Sequence, residues 1–266
     1  MRESTAAHWD RYWRERADID HVYSNEQRIL DQVRDLPLVR MRALEVGAGS
    51  GRDSLELVGR GARVVVLDYV PSALGVIRRL SAKTGAEILC VCGEATRMPF
   101  REGAFQLVFH QGLMEHFRDP RPLLAENFRV TSPGGFCLID VPQRFHPYTV
   151  AKHVLILLNR WFAGWETEYS PAGLRRVVQA AGYEVVRTGG DWMVPGFGYR
   201  SLRYLLMRGR ILTLPKYPRE LPGLGALARR CRMWLRKKRL GPYTFAMVNV
   251  LARRPAKDEG RPGTRG

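Results

Sequence analysis

Short apolar runs alternate with amphipathic stretches through the middle of this chain. Strands are expected near 42–47, 62–67, 87–92, 105–110 and 135–141, where β-branched and aromatic residues cluster between polar or glycine-rich breaks. Helices are expected between them, near 51–60, 71–84 and 119–130. Such alternation predicts an α/β protein with a parallel sheet and helices on both faces. Right-handed crossovers then bring the carboxyl ends of the strands to one edge, where ligands bind. Farther on, Ser170 suits an N-cap with Pro171 at N1, which predicts a helix over about 171–181. Gly182 ends it, and Tyr183 to Arg187 form a sixth strand.

Three stretches stand outside this alternation. Near the start, Trp9, Tyr12 and Trp13 fall at i, i+3, i+4 on one helix face, with His8 and Tyr23 nearby. That face is either a lid over a substrate or an aromatic helix packed on the core. After the fifth strand, Thr149 to Trp165 contains Val154-Leu155-Ile156-Leu157-Leu158, a run too short to span a bilayer. It is either an apolar lid over a greasy substrate or a buried helix. Near 219–239 a further helix places Leu224, Leu227, Cys231 and Trp234/Leu235 at helical spacing, with Arg229, Arg230, Arg232, Arg236, Lys237, Lys238 and Arg239 among them. A basic amphipathic helix can meet a membrane surface, follow a nucleic-acid backbone, or cover a core.

Charge sharpens that last point. The net charge is +17, and residues 190–266 hold 18 Lys/Arg against 4 Asp/Glu. The basicity therefore belongs to the C-terminal part. The first twenty residues lack the apolar centre of a signal peptide, and no run is long enough for a spanning helix. Four cysteines (Cys90, Cys92, Cys137, Cys231) do not suggest a disulfide framework, and no metal-ligand spacing is apparent. Cys90 and Cys92 alternate on one strand and are expected to pack in the core. A cytoplasmic protein follows.

The candidate chemistry gathers at Leu44-Glu45-Val46-Gly47-Ala48-Gly49-Ser50-Gly51. The glycines permit positive φ and a ligand lying against the main chain, and the helix after them offers free N–H groups. Asp68 closes the second strand 21 residues after Gly47, about where a nucleotide-binding βαβ unit keeps a carboxylate for ribose hydroxyls. The dinucleotide fingerprint would need glycine or alanine at position 52, which is Arg52. Glu45 at the mouth of the turn repels a pyrophosphate but suits an ammonium or sulfonium. S-adenosylmethionine has both cations and no phosphate. Glu94, after the third strand, can accept from an exocyclic amine or pair with Arg97 or Arg101. His110, at the tip of the fourth strand, could touch ligand or substrate, or be structural.

Taken in order, these segments resemble the class I S-adenosylmethionine-dependent methyltransferases, in particular the type 11 group that includes ubiquinone/menaquinone-biosynthesis enzymes. The further matches are Gly93-Glu94-Ala95 with Met98-Pro99-Phe100, Phe105-Gln106-Leu107-Val108, Leu113-Met114-Glu115-His116-Phe117 and Ser132-Pro133-Gly134-Gly135. The resemblance covers about 41–142, with a weaker match at 165–188. It implies a Rossmann-like doubly wound sheet of seven strands with the last, expected at Tyr243 to Leu251, antiparallel. It implies that Glu45, Gly47, Ala48, Gly49 and Gly51 surround the methionine part, that Asp68 holds the ribose with Tyr69 beside the adenine, that Glu94 and Ala95 meet the adenine edge, and that His110 lies near the methionine end. It makes Glu166, Glu168 and Tyr169 candidates for substrate contact. Glu94 departs from the family, which more often has Asp there.

The implied activity is methyl transfer to an oxygen or carbon of a small, apolar or lipid-linked acceptor. His110, His116 and Tyr169 are the available candidates for a general base. No Asn/Asp-Pro-Pro-aromatic segment follows strand four, which counts against a nucleic-acid amine acceptor. An RNA methyltransferase and a non-enzymatic binding protein remain as alternatives. The expected organisation is an N-terminal helical cap (1–40), a cofactor-binding core (41–188 plus 243–252), a basic apolar insertion (189–242) and a disordered tail (253–266). The insertion would be the membrane-surface contact, at the inner face of the membrane.

Overall fold

A computed structural model describes residues 5–15, 27–159, 161, 163–218, 223–236, 238 and 240–256. Tyr23, Lys237, Arg239 and the tail from 257 onward lie outside the described residues. The strands are β1 (Arg42–Val46), β2 (Arg63–Asp68), β3 (Ile88–Cys92), β4 (Phe105–Gln111), β5 (Thr131–Pro142), β6 (Glu184–Asp191) and β7 (Met247–Arg253). The helices are α1 (Ala6–Glu15), α2 (Arg28–Val33), α3 (Arg52–Val58), α4 (Pro71–Thr84), α5 (Arg121–Val130), α6 (Pro147–Leu157), α7 (Pro171–Ala180), α8 (Phe197–Arg208) and α9 (Leu224–Arg236).

All seven strands join one sheet in the order β3-β2-β1-β4-β5-β7-β6. β7 runs antiparallel to both its neighbours, and the other pairings are parallel. This is the doubly wound Rossmann-like sheet expected from the sequence. Alternation along the strands sends residues to two cores. Leu44, Val46, Val108, Ile139 and Val250 meet α5 and α7 on one face. Ala43, Val64, Val66, Leu107 and Phe109 meet α2, α3 and α4 on the other. The chain winds outward from β1 in one direction and from β4 in the other, so a crevice opens between their carboxyl ends.

Several expectations need correcting. β5 begins at Thr131, because Ser132-Pro133-Gly134-Gly135 is drawn into the strand, where Gly134 donates its N–H to the Arg254 carbonyl and the Arg254 N–H donates to the Gly135 carbonyl. β3 is an edge strand, so Cys92 is exposed and not a core residue, while Cys90 is half-buried and packs against the core. Arg254 is not part of a loose tail. Its guanidinium is buried, donates to the carbonyls of Phe128, Arg129 and Thr131, pairs with Glu102 at 2.7 Å and stacks on Phe128. α6 is not a buried helix, since only Thr149, Lys152 and Ile156 on it are buried. Nor, among the described residues, do the two basic helices bury an apolar face: α8 has no buried residue, and on α9 Leu227, Met233 and Trp234 are exposed.

Candidate active site

Residues from β1, β2, β4 and the loop after β3 line a cleft of about 530 Å3 at the crevice, with α1 across it. The glycine turn after β1 forms its floor. Gly47 donates its N–H to the Leu67 carbonyl at 2.7 Å, tying the turn to β2. Gly47 and Gly49 both take positive φ, 65° and 53°. A Cβ on Gly49 would lie 2.6 Å from the Trp13 ring, so this glycine makes room for α1 as well as for a ligand. Gly51 plays a different part from the one expected. It does not line the cleft, and a Cβ there would meet Ile77 at 2.8 Å, so it is needed where α3 and α4 pack.

Glu45, Asp53, Glu56, Asp68 and Glu94 bring five carboxylates to the cleft, with Arg52 among them. Asp68 is fixed by two backbone donors, Gly49 to Oδ2 and Val70 to Oδ1, each at 2.9 Å. Burial raises its pKa against those hydrogen bonds. Glu45 is buried and accepts from the Ser54 hydroxyl. Burial first, and then the charge of Asp53, holds its carboxyl well above the usual range. Burial likewise lifts Asp53 to about 7, opposed by the Arg28 guanidinium. Arg28 is itself buried and paired with Asp140 at 3.2 Å. Tyr69, lifted by burial to about 12, and Ala95 complete the far end beside Glu94. Among the described residues no ion pair joins Glu94 to Arg97 or Arg101.

The three candidate bases separate sharply. His116 lines the cleft, where Trp9 meets it edge-on at 5.3 Å. Burial lowers its pKa, while a backbone hydrogen bond with Trp165 pulls the other way. His110 is wholly buried and outside the cleft, with burial depressing its pKa to about 3. β4 runs one residue farther than expected, so Gln111 rather than His110 lines the cleft at the strand end. Tyr169 is buried in the core behind the cleft. Burial, and then the Glu115 charge, push its hydroxyl up to about 12. Glu166 and Glu168 are buried as well. Lys152 Nζ holds them at 2.6 and 2.7 Å, Trp161 donates to Glu166, and His153 meets Glu168. Their ligand-contact reading gives way to a buried ion cluster.

The sequence reading missed Asp53. In sequence Asp53 is an ordinary acid in a first helical turn, where it complements the dipole. Only the fold brings it beside Glu45.

Residues 44–139 match the methyltransferase domain family. The chain is 33% identical to a demethylmenaquinone methyltransferase from Renibacterium salmoninarum over 119 residues, 45% of this chain and 47% of that protein. It is 27% identical to a ubiquinone biosynthesis O-methyltransferase from Aromatoleum aromaticum, over 65% of this chain and 77% of that one. Against the first relatives it matches, the chain spans about half their length or less. Among solved structures, an S-adenosylmethionine-dependent methyltransferase from Thermotoga maritima superposes with a TM-score of 0.56 at 16% identity, covering 85% of this chain and 86% of that one. That likeness carries the fold.

Proposed function

We propose that this protein uses S-adenosylmethionine to methylate an oxygen or carbon of a small, apolar or lipid-linked acceptor. The observation that carries the reading is the cleft's chemistry: a glycine floor, five carboxylates and aromatic rings at the topological switch point. Such a lining disfavours phosphates and suits an adenosine joined to a cationic amino acid. Asp68 lines the cleft with its carboxylate held by backbone donors, which orients it to accept from a ribose hydroxyl. Tyr69, Glu94 and Ala95 flank the place for the adenine. Glu45, Asp53 and the Gly47–Gly49 turn surround the place for the methionine part.

When bound, S-adenosylmethionine supplies a methyl group already activated on a sulfonium, so the protein's part is alignment. His116 is the candidate base, since its depressed pKa keeps the imidazole neutral at pH 7. From the cleft lining it would take up the proton of an acceptor hydroxyl. Trp9 beside it excludes water. The acceptor is met at the cytoplasmic face of a membrane, with the basic segment 189–242 as the contact. RNA is the second reading, favoured by the arginines of that segment, and it predicts nucleic-acid copurification that falls steeply with salt.

Calorimetric titration with S-adenosylmethionine and with NAD, on wild type and Asp68→Ala, tests the cofactor assignment. Micromolar binding of S-adenosylmethionine alone, weakened at least about tenfold in the variant, is expected. NAD binding without S-adenosylmethionine binding would overturn it.

A further inference from the structure

α6 is built inside out. Its inward face presents Thr149, Lys152 and Ile156, and its outward face presents Val150, Val154, Leu155, Leu157 and Leu158. Leu157 is 79% exposed and Val150 63%, while Lys152 is 1% exposed. Water on the outside would reward the opposite arrangement, because leaving leucine wet and burying an ammonium are both unfavourable. The buried lysine is compensated by Glu166 and Glu168, which lock the helix in this orientation. The arrangement is consistent if the outer face meets an apolar medium.

The surface continues beyond α6. Tyr148 packs edge-on against Phe197 at 5.8 Å, joining α6 to α8, and Phe145 stacks with Tyr243. α8 and the chain after it expose Leu202, Tyr204, Leu205, Met207, Ile211 and Leu212, with Arg208 and Arg210 among them. Between β6 and β7 the sequence has 13 Lys/Arg and a single acid, Glu220. A second copy would bring the same positive charge against itself. Nucleic acid would match the charge and leave the outer face of α6 unexplained. An anionic bilayer surface matches both.

We infer that α6 and α8 form one interfacial face, with the outer side chains of α6 entering the headgroup–acyl boundary of an anionic membrane and the arginines after α8 on lipid phosphates. Each basic residue near such a surface adds attraction, and buried apolar area adds to it. The inner side of α6 leads toward the cleft. Lys152 meets Glu166, and Thr167 donates its N–H to the Glu115 carbonyl at 2.8 Å, next to His116. This deepens the lipid-linked acceptor reading, though membrane docking itself does not require it.

The test is flotation of the full chain with vesicles of mixed phosphatidylglycerol and phosphatidylcholine and with phosphatidylcholine alone. Wild type should float with the anionic vesicles. Val154→Glu and Leu157→Lys should each weaken that by about tenfold or more. Leu157→Lys adds attraction to the lipid, so its loss would report insertion rather than charge. Calorimetry with S-adenosylmethionine on the same variants should be unchanged, which separates docking from folding and from the cofactor assignment. Failure of wild type to float, flotation indifferent to both variants, or a concentration-dependent dimer abolished by them would overturn the inference.

Discussion

Two residues of the cleft make opposite demands on their surroundings. Asp53 is a carboxylate whose folded pKa, about 7, lies above its ordinary value. Between roughly pH 4 and 7 the native state then binds the extra proton, so Asp53 lowers stability as pH rises through that window. A cationic ligand favours the ionised form and expels the proton. S-adenosylmethionine affinity should therefore rise from pH 5.5 to 7.5, with proton release visible as a buffer-dependent calorimetric enthalpy. Asp53→Asn should flatten the profile. Gly49 is limited by shape instead of charge. Gly49→Ala forces alanine to φ near 53° and drives its Cβ into Trp13. Denaturant melts should show a loss of about 1–2 kcal/mol from the backbone, and the Trp13→Ala background should recover only what the ring clash adds.

At the scale of elements, the buried cluster under α6 is the place where one substitution should do most damage. Lys152→Met leaves Glu166 and Glu168 facing each other without their cation. Urea titration should show a loss of about 3–5 kcal/mol, with α6 coming loose before the sheet melts. The sequence made the strands and the glycine turn legible, because their signals are local: runs of Val, Leu and Phe, positive-φ glycines, and an N-cap such as Ser170, which does accept from Gly173. It left α6 ambiguous, because an apolar run reads the same whether it faces a core or a bilayer. It misplaced His110 because one added residue at a strand end changes which side chain reaches the crevice. Glu166 and Glu168 were legible as a pair of acids but not as partners of a lysine 14 positions back from the nearer one.

For the molecule as a whole, charge and apolar surface sit on the same flank. Flotation of wild type should weaken as salt is raised from low ionic strength to about 0.5 M, as the Debye length shrinks below the reach of the surface arginines. The part that survives high salt should be the part that Leu157→Lys removes. A comparison of the two variants across a salt series would separate attraction from insertion without any knowledge of the acceptor.

The hairpin between β6 and β7 carries one more consequence. Asp191 and Met247 face each other in the same ladder, so the chain leaves the sheet and returns to it at one spot. Everything in between is a long excursion from a single rung, and lengthening such an excursion adds little to the entropy of closing it. The excursion can therefore change in length or sequence while the sheet that carries the cleft keeps its pairing. The cleft at the switch point and the surface carried by the excursion are thus separable, written in different parts of one chain.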